Sequence, residues 1–403
     1  MVDRATVGSA DFPLFQKAQD ALRQLGPDGW LLYDWRRRNP VAAEIARLDP
    51  YPTRPWFCLI PPEGSLVWLV PRLELSTSFA SVPGQILTYG SRSELVQRLS
   101  MILSSYRTVA MEYSRKAELP QLSCVDAGTV ELIQSLQVTV VSSADLVHLT
   151  LGVLSASQVA THRKAAQELL RVKDEAFAFI GDALVSGKTV TEWDVVVFVL
   201  ERFKDKGLVS DDRPIVAVMG NSVFPHYFPT PSQSSPIGWG DFVLLDLFAR
   251  LDEAPDSVYA DITWCGYTGS TVPPRFEQQF ALVREARDKS LEFLSSRLKA
   301  GCEVRGYELD QVARSVLADR GVGERFIHRT GHSLGTSVHG WGTNIDSYET
   351  VDRRILCPGS LFTIEPGLYG PEIGTRSEIN VFISEKGAEI TTLPLQESIT
   401  TLI

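Results

Sequence analysis

Hydrophobic and polar positions follow two different periods along the first 150 residues, and the change of period separates predicted helices from predicted strands. Helical spacing occupies residues 12–25 and 93–105. Apolar runs typical of buried strands occur at 29–33, 56–60, 65–70, 108–112 and 138–141. Pro61-Pro62-Glu63-Gly64 predicts the turn of a hairpin between the second and third runs. We therefore predict a mixed α/β domain over residues 1–150.

Residues 151–403 carry two successive groups of two helices followed by strands. Ser155 is a predicted helix N-cap that opens an apolar stripe reaching Val185, and Thr191 with Asp194 resembles a capping box for the next helix. Further helices are predicted at 276–298 and 306–319, and strands at 215–219, 242–248, 259–264 and within 360–402. The order predicts an α+β domain with two structurally similar halves, although the sequence shows no internal repeat.

Three of the six histidines, His328, His332 and His339, fall within one stretch, residues 327–340. Glycine, serine and threonine interrupt this stretch, which favours strand and turn over a helix. A single interior histidine is more often a hydrogen-bonded core residue than a ligand. Three so close together make a metal or proton-transfer site about as plausible as that structural role.

Four acids interrupt predicted apolar strands. They are Asp246 within 242–248, Asp261 within 259–264, Glu365 at the end of 362–364, and Glu378 within 374–381. Any one could be a structural ion pair, but an unpaired buried carboxylate is costly. If the first two strands pair, Asp246 and Asp261 come together and need a cation. Four carboxylates and one neutral imidazole carry a charge that two divalent ions neutralise, so we predict a dinuclear site suited to manganese or cobalt.

Composition adds mainly exclusions. A net charge of −10 without a long basic run argues against nucleic acid and against an anionic membrane surface as partners. The five cysteines are scattered without a CxxC pair, which predicts reduced thiols. Residues 1–12 lack the apolar core of a signal peptide, and no stretch reaches 18 uninterrupted apolar residues. We therefore expect a cytoplasmic protein.

The ordered set of motifs resembles the pita-bread metallopeptidases, the group of methionine aminopeptidase, aminopeptidase P and prolidase. The matching motifs are Pro225-His226-Tyr227, Leu245-Asp246, Tyr259-Ala260-Asp261-Ile262-Thr263, Thr330-Gly331-His332-Ser333-Leu334-Gly335 with Val338-His339, Ile364-Glu365-Pro366-Gly367-Leu368-Tyr369 and Arg376-Ser377-Glu378. Residues 28–34 with Asn39-Pro40 resemble the creatinase-type N-terminal domain of prolidases and aminopeptidases P. The resemblance implies a pita-bread catalytic domain over 151–403 and a creatinase-type domain over 1–150 for substrate restriction or dimer contacts.

The resemblance also implies roles for single residues. The metal ligands would be Asp246, Asp261, His332, Glu365 and Glu378. The ions would be two divalent metals, manganese first, with cobalt, zinc or iron as alternatives. On the substrate side it implies His226, His328 and His339 as catalytic histidines, Arg376 as a brace for the last glutamate, and Arg354 and Tyr369 as substrate contacts.

The implied activity is hydrolysis of an Xaa-Pro peptide bond by a metal-bridging hydroxide, with Glu365 as proton shuttle, in a homodimer. An Xaa-Pro dipeptidase (prolidase) is favoured over an aminopeptidase P acting on longer peptides. A non-catalytic pita-bread binding module is the alternative from another class, and the presence of all five ligands disfavours it. Two departures from the family pattern affect specificity more than chemistry: Trp264 replaces an arginine, and residues 251–256 form an inserted turn.

Overall fold

The computed structural model describes residues 12–403, so residues 1–11, most of the segment tested above for a signal peptide, lie outside the description. The chain forms two compact units that meet in sequence between Leu151 and Gly152. In the described part of the chain, every helix is too short or too polar to cross a bilayer.

The first unit is a six-stranded mixed sheet with helices. Its strands are β1 (Gly29–Asp34), β2 (Trp56–Ile60), β3 (Val67–Pro71), β4 (Gln85–Tyr89), β5 (Thr108–Met111) and β6 (Thr139–Ser142), and its helices are α1 (Pro13–Leu25), α2 (Pro40–Ala46), α3 (Arg92–Leu103), α4 (Ala127–Ser135) and α5 (Ala144–Val147). The strand order is β4-β3-β2-β1-β5-β6. The predicted hairpin is confirmed, because β2 and β3 pair antiparallel on either side of the Pro-Pro-Glu-Gly turn.

The second unit contains four long helices and several small sheets. The helices are α6 (Ala156–Val185), α7 (Glu192–Asp205), α8 (Pro274–Lys299) and α9 (Gly306–Asp319), and the strands are β7 (Val190–Thr191), β8 (Leu208–Val209), β9 (Ile215–Val218), β10 (Pro236–Ile237), β11 (Phe242–Leu251), β12 (Ala260–Tyr267), β13 (Leu361–Ile364), β14 (Gly367–Tyr369), β15 (Gly374–Arg376), β16 (Ile379–Ser384), β17 (Gly387–Ile390) and β18 (Thr400–Thr401). Both predicted capping residues are confirmed, since Ser155 and Thr191 each form a capping box at the start of α6 and α7.

The first half of this unit packs α6 and α7 on the pair of long strands β11 and β12. These strands run antiparallel from Phe242↔Tyr267 to Ala249↔Ala260. The sequence of 259–264 alternates, which predicts Asp261 and Thr263 on one face and Ala260, Ile262 and Trp264 on the other. This is confirmed, because Ala260, Ile262 and Trp264 join the apolar cluster beneath the two helices. Asp261 and Thr263 therefore point to the opposite face.

The second half packs α8 and α9 against β13 and β16. Leu294 and Leu309 from the helices share an apolar cluster with Phe362 and Val381 from the strands. The two halves are joined at Asn380, whose amide accepts from Asp261 N at 3.0 Å and donates to Asp261 O at 2.6 Å. A buried side chain of β16 thus fixes the backbone of an acidic residue on β12.

One predicted strand is interrupted. The alternation over 374–381 predicted a continuous strand with Arg376, Glu378 and Asn380 on one face, but the structure has two short strands, β15 and β16, with a break at residues 377–378. The strands on the two sides of the break pair with different neighbours: β15 pairs with β14, and β16 pairs with β13. Because the chain changes partner at Ser377, alternation alone did not reveal the interruption.

Candidate metal centre

Two of the candidate ligands are placed by the register of β11 and β12. Asp246 lies opposite Thr263, and Phe248 lies opposite Asp261. Asp261 is therefore the diagonal neighbour of Asp246 on the same face of the sheet. Both carboxylates are buried, as expected if the strand pairing brings them together.

The other three candidate ligands come from the second half of the unit. His332 is held by two hydrogen bonds to Thr363, from His332 N to Thr363 Oγ1 and from Thr363 N to His332 O, both at 2.9 Å. Gly331 permits this approach, because a Cβ there would lie 2.0 Å from Thr363 O. Glu365 follows directly after β13, and its backbone N donates to Thr330 O at 2.7 Å.

These residues converge on one small volume. The ligand atoms of Asp261, His332 and Glu378 all lie within 4.8 Å of one another. Nε2 of His332 is 3.3 Å from Glu365 Oε1 and 3.6 Å from Asp261 Oδ2. Asp246 is linked to the same group through Arg376, whose Nη2 forms an ion pair with Asp246 Oδ2, while its Nε lies 3.8 Å from Glu365 Oε2.

The donor set fits divalent cations. Asp261 Oδ1 and Glu378 Oε1 are buried without a hydrogen-bond partner among residues 12–403. Nδ1 of His332 lies 3.3 Å from Ser333 O, and because a carbonyl only accepts, Nδ1 carries the proton of the neutral ring. The lone pair of Nε2 then faces carboxylate oxygens. Such an arrangement is unfavourable unless a cation lies between them, and two divalent ions would balance the four carboxylates.

The electrostatics of the four acids reflect their crowding. Burial, followed by the charges of Glu378 and Asp246, raises the pKa of Asp261 well above its usual value. Burial, followed by the charges of Glu365 and Asp246, does the same to the pKa of Glu378. Burial also raises the pKa of Glu365 to about 7. Without cations, the cluster therefore resists full ionisation.

A hydrogen-bond chain connects these acids to the predicted substrate side. Thr263 Oγ1 donates to Glu378 Oε2 at 2.8 Å and accepts from Arg376 Nε at 2.9 Å. Nη1 of Arg376 lies 3.3 Å from the hydroxyl of Tyr369, which is 2.7 Å from His328 Nε2. His328 Nδ1 is 2.7 Å from the carbonyl of Arg329, so Nδ1 carries the proton of the neutral ring and the tyrosine hydroxyl donates to Nε2.

The remaining candidate histidines lie at the edge of this group. The ring of His339 is perpendicular to that of His332, with centroids 4.4 Å apart, and its own side chain is exposed. His226 is also exposed. Burial raises the pKa of Asp246, whereas Arg376, followed by Asp261 and His226, opposes that rise. A ring contact thus brings His339 to the cluster and a hydrogen bond to Tyr369 brings His328 to it, whereas the connection of His226 to the cluster is its electrostatic effect on Asp246.

Arg354 does not fit the substrate-binding role that the resemblance implied. Its guanidinium is buried and bonded to both carboxylate oxygens of Asp352, and it also donates to the carbonyls of Trp341 and Gly342. Asp352 Oδ2 in turn accepts from Asn344 N at 2.8 Å. Because four of its five N–H donors are already engaged, Arg354 holds the loop that follows the histidine stretch and cannot offer a bidentate contact to a substrate carboxylate.

Replacing Arg354 by Met is therefore expected to lower the free energy of unfolding by about 3–5 kcal/mol, because it leaves Asp352 buried without its partner. Urea unfolding measures the loss. The exposed neighbour Arg353 provides the control, and Arg353→Met should change stability by no more than about 0.5 kcal/mol. An Arg354→Met protein of unchanged stability with a raised KM would restore the substrate-binding assignment.

The aromatic residue in the family's arginine position lies away from the ligands. Trp264 belongs to the apolar face of β12, and Nζ of Lys173 on α6 lies 3.8 Å from the centroid of its ring. Lys173 also forms an ion pair with Asp174. The substitution thus places a cation–π contact between helix and sheet, on the face opposite Asp261.

Sequence reasoning missed two residues beside the site. Asn380 fixes the backbone of Asp261, and Arg329 lies between His328 and Thr330 with its side chain 20% exposed. Position in the histidine stretch was a signal for Arg329. Asn380 was placed on the same face as Glu378, but nothing in the sequence indicated its partner.

Comparison with known proteins places this geometry in a family. The model of metallopeptidase family M24 matches residues 160–385, more than half of the chain. An Xaa-Pro dipeptidase of Pyrococcus furiosus is 34% identical over 178 residues, which cover 43% of this chain and 45% of that protein. An Xaa-Pro dipeptidase of Pyrococcus horikoshii is 30% identical over 229 residues, covering 56% and 59%. The chain thus spans about half the length of these curated relatives.

A solved structure extends the likeness of the fold to the whole chain. The dipeptidase PepE of Mycobacterium ulcerans superposes with a TM-score of 0.70 at 22% identity, covering 99% of this chain and 100% of that one. The predicted fold, a pita-bread domain preceded by a smaller mixed domain, is thereby confirmed. Membership of M24 implies a divalent metal, and Asp261, His332 and Glu378 form a group able to hold one. The chain belongs to metallopeptidase family M24.

Proposed function

We propose that the chain hydrolyses Xaa-Pro dipeptides at the cluster of Asp246, Asp261, His332, Glu365 and Glu378. The observation that carries the proposal is the convergence of these ligands, with one oxygen each of Asp261 and Glu378 left without a partner among the described residues. Bound divalent ions would polarise the scissile carbonyl and lower the pKa of a water molecule. The protein's own side chains then supply proton transfer, orientation and substrate contacts.

Glu365 is our candidate for the proton shuttle. Thr363 Oγ1 donates to its Oε1 at 3.0 Å, and Arg376 Nε lies 3.8 Å from its Oε2, so both oxygens are oriented. Pro366 restricts the backbone of Glu365 and helps to fix its direction. In this role Glu365 takes a proton from the attacking water and returns it to the prolyl nitrogen.

His339 is the best candidate for stabilising the developing oxyanion. Its imidazole nitrogens make no hydrogen bond with any residue in 12–403, so they are available to a substrate. Both nitrogens of His328, in contrast, are engaged with Arg329 O and Tyr369 Oη. We assign His328 and Tyr369 to a unit that orients the substrate carbonyl, with Arg376 behind it, and His226 to the same substrate side.

A dipeptidase also needs a cation for the free carboxylate of proline, and Arg329 takes the place of Arg354 in this role. Within the described residues its guanidinium makes no hydrogen bond, and its ion pair with Glu349 Oε2 is long, 4.0 Å. The charge of Arg329 acts on His339. Burial is the largest cause that lowers the pKa of His339, to about 4, and the positive charge of Arg329 is the second. A mostly buried guanidinium with unused donors is suited to a carboxylate.

Xaa-Pro dipeptides are expected to be cleaved with a higher kcat/KM than Xaa-Pro amides or Xaa-Pro-Yaa tripeptides. Arg329→Met should lower kcat/KM for the dipeptide by about 10- to 100-fold, mainly through KM, because a charge-assisted hydrogen bond is lost. It should change hydrolysis of the amide less than about threefold, since the amide lacks the charge. Arg353→Met is the matched control and should leave both substrates unaffected.

The outcomes separate two activities. Tripeptides cleaved as well as dipeptides would make the chain an Xaa-Pro aminopeptidase. A dipeptide preference that survives Arg329→Met would retain the dipeptidase and remove Arg329 from its role.

The metal, assembly and location are further parts of the proposal. Four carboxylates with one imidazole favour manganese, with cobalt, zinc or iron as alternatives. We also propose a homodimer in the cytoplasm, with the unit before Gly152 restricting the substrate or forming dimer contacts. Analytical ultracentrifugation and metal analysis of the purified protein test the first two.

A further inference from the structure

Another buried carboxylate that is not a candidate metal ligand belongs to the first residue of α7. Glu192 is fully buried and accepts four hydrogen bonds. Its Oε1 accepts from Val218 N at 2.7 Å and from Asn221 Nδ2 at 2.9 Å. Its Oε2 accepts from the hydroxyl of Tyr227 at 2.7 Å and from Ser235 N at 2.8 Å. All four donors belong to the segment 218–235, which contains His226.

This carboxylate joins the two ends of the segment 218–235. Val218 ends β9, and Ser235 immediately precedes β10, so one side chain holds the two ends together. The backbone reinforces the closure, because Glu192 N donates to Ser235 O at 3.1 Å and Trp193 N donates to Ser234 Oγ at 2.9 Å. The negative charge also lies at the N-terminus of α7, where the helix dipole favours it.

A tight turn at the far end of the segment carries His226. Tyr227 N donates to Phe224 O at 3.1 Å, so Pro225 and His226 occupy the two central positions of the turn. Proline at the first central position fixes one backbone angle. The side chain of His226 is exposed, whereas the hydroxyl of the next residue, Tyr227, is bonded to the buried carboxylate.

Tyr227 thus connects the turn directly to the carboxylate of Glu192, which joins the two ends of the segment. Burial, followed by the hydrogen bond to Glu192, raises the pKa of the Tyr227 hydroxyl, so it stays protonated and donates. Nδ2 of Asn221 lies 3.1 Å from the same hydroxyl and 3.0 Å from Ser235 Oγ, which braces the tyrosine from a second direction. None of these groups is a candidate metal ligand.

We propose that Glu192 and Tyr227 are positioning residues that act through His226. They hold the turn at residues 224–227 in the position in which the imidazole of His226 contacts the substrate. This inference rests on the substrate-side role of His226 in the proposed function. Its distinguishing consequence is that Tyr227 has no effect of its own on catalysis. Removing its hydroxyl harms turnover only while His226 is present.

A double-mutant cycle tests this with the full-length, metal-loaded protein and an Xaa-Pro dipeptide. Tyr227→Phe is expected to lower kcat/KM by roughly five- to tenfold in the otherwise unchanged protein, and by less than twofold in a His226→Ala background. Glu192→Gln should have a larger effect than Tyr227→Phe, because an amide cannot accept all four hydrogen bonds. Additive effects of Tyr227→Phe and His226→Ala would overturn the proposal.

A matched variant separates positioning from general stability. Thr191→Ala removes the N-cap bond to Asp194 N at the start of the same helix, at a cost of about 1 kcal/mol, without touching Tyr227. It should lower the midpoint of urea unfolding and leave kcat/KM unchanged. If Thr191→Ala reduced kcat/KM as much as Tyr227→Phe, the role of the tyrosine would be merely structural.

A readout without substrate keeps the test independent of the proposed function. The imidazole resonance of His226, identified by its absence in His226→Ala, should shift or broaden in Tyr227→Phe and stay unchanged in Thr191→Ala. An unchanged resonance in Tyr227→Phe would refute the inference whatever the substrate is. If the wild-type protein cleaves no Xaa-Pro peptide, yet the resonance shifts in Tyr227→Phe, only the proposed function is refuted.

Discussion

Exhaustive chelation is expected to abolish hydrolysis of Xaa-Pro dipeptides, and manganese or cobalt added back should restore it. The physical reason is the concentration of negative charge: the carboxylates of Asp261, Glu365 and Glu378 lie close to the imidazole of His332, and one oxygen each of Asp261 and Glu378 has no hydrogen-bond partner in residues 12–403. Without cations, burial and the neighbouring carboxylates raise the pKa values of Asp261 and Glu378, so protons compete with metal for these ligands. Activity and metal content are measured together during titration with the ion.

A pair of glutamate variants makes this result specific. Glu378→Gln removes a ligand charge and should reduce both metal content and turnover to background. Glu372→Gln changes the same group at an exposed position, where the glutamate pairs with Arg275 at 2.8 Å, and should leave both unchanged. Full activity in a preparation without detectable metal would contradict the dinuclear mechanism.

The histidines are expected to separate into two classes. His332→Ala should lose metal and turnover together, because Nε2 of His332 is the only imidazole nitrogen in the described cluster that lies within 4 Å of the carboxylates of Asp261 and Glu365. His339→Ala and His328→Ala should keep their metal and lose roughly 10²-fold or more in kcat, as expected when a group that acts in the transition state is removed. Metal analysis and steady-state kinetics on each variant distinguish the classes.

The exposed residue Thr336 supplies a control within the same stretch, and Thr336→Ala should retain metal and rate. If His339→Ala matched the wild type in kcat/KM, His339 would have no catalytic role. If it lost metal as well, it would belong with the ligands.

The placement of Asp246 and Asp261 shows how far the sequence could go. Alternation along 259–264 correctly predicted that Ala260, Ile262 and Trp264 share one face, since a strand has only two faces, and the structure shows that this face lies under the helices. That the two aspartates are diagonal neighbours depends on the register of β11 and β12, which alternation does not determine. The proximity of the two aspartates could be predicted from the sequence. Their diagonal offset across the two strands is seen only in the structure.

Arg354 and Arg329 show why the substrate side was harder. An arginine's chemistry is visible in the sequence, but its availability depends on which acceptors the fold brings to it. Asp352 and two carbonyls bind the guanidinium of Arg354, whereas the guanidinium of Arg329 has, within residues 12–403, only a distant glutamate as partner. Such acceptor assignments, like the change of strand partner at Ser377, are properties of tertiary packing and leave no periodic signal.

The ligands are divided between the two halves of the second unit, with Asp246 and Asp261 on one sheet and His332, Glu365 and Glu378 on the other side of the Asn380 contact. An ion bound by ligands from both halves would therefore also cross-link the two halves of the unit. Since binding to the native state alone stabilises it, an ion at 100 times its Kd adds about 2.7 kcal/mol. Culture medium poor in trace metals, or a chelator in the lysis buffer, should thus yield a chain that proteases nick more readily. Supplying manganese from expression onward protects the preparation itself.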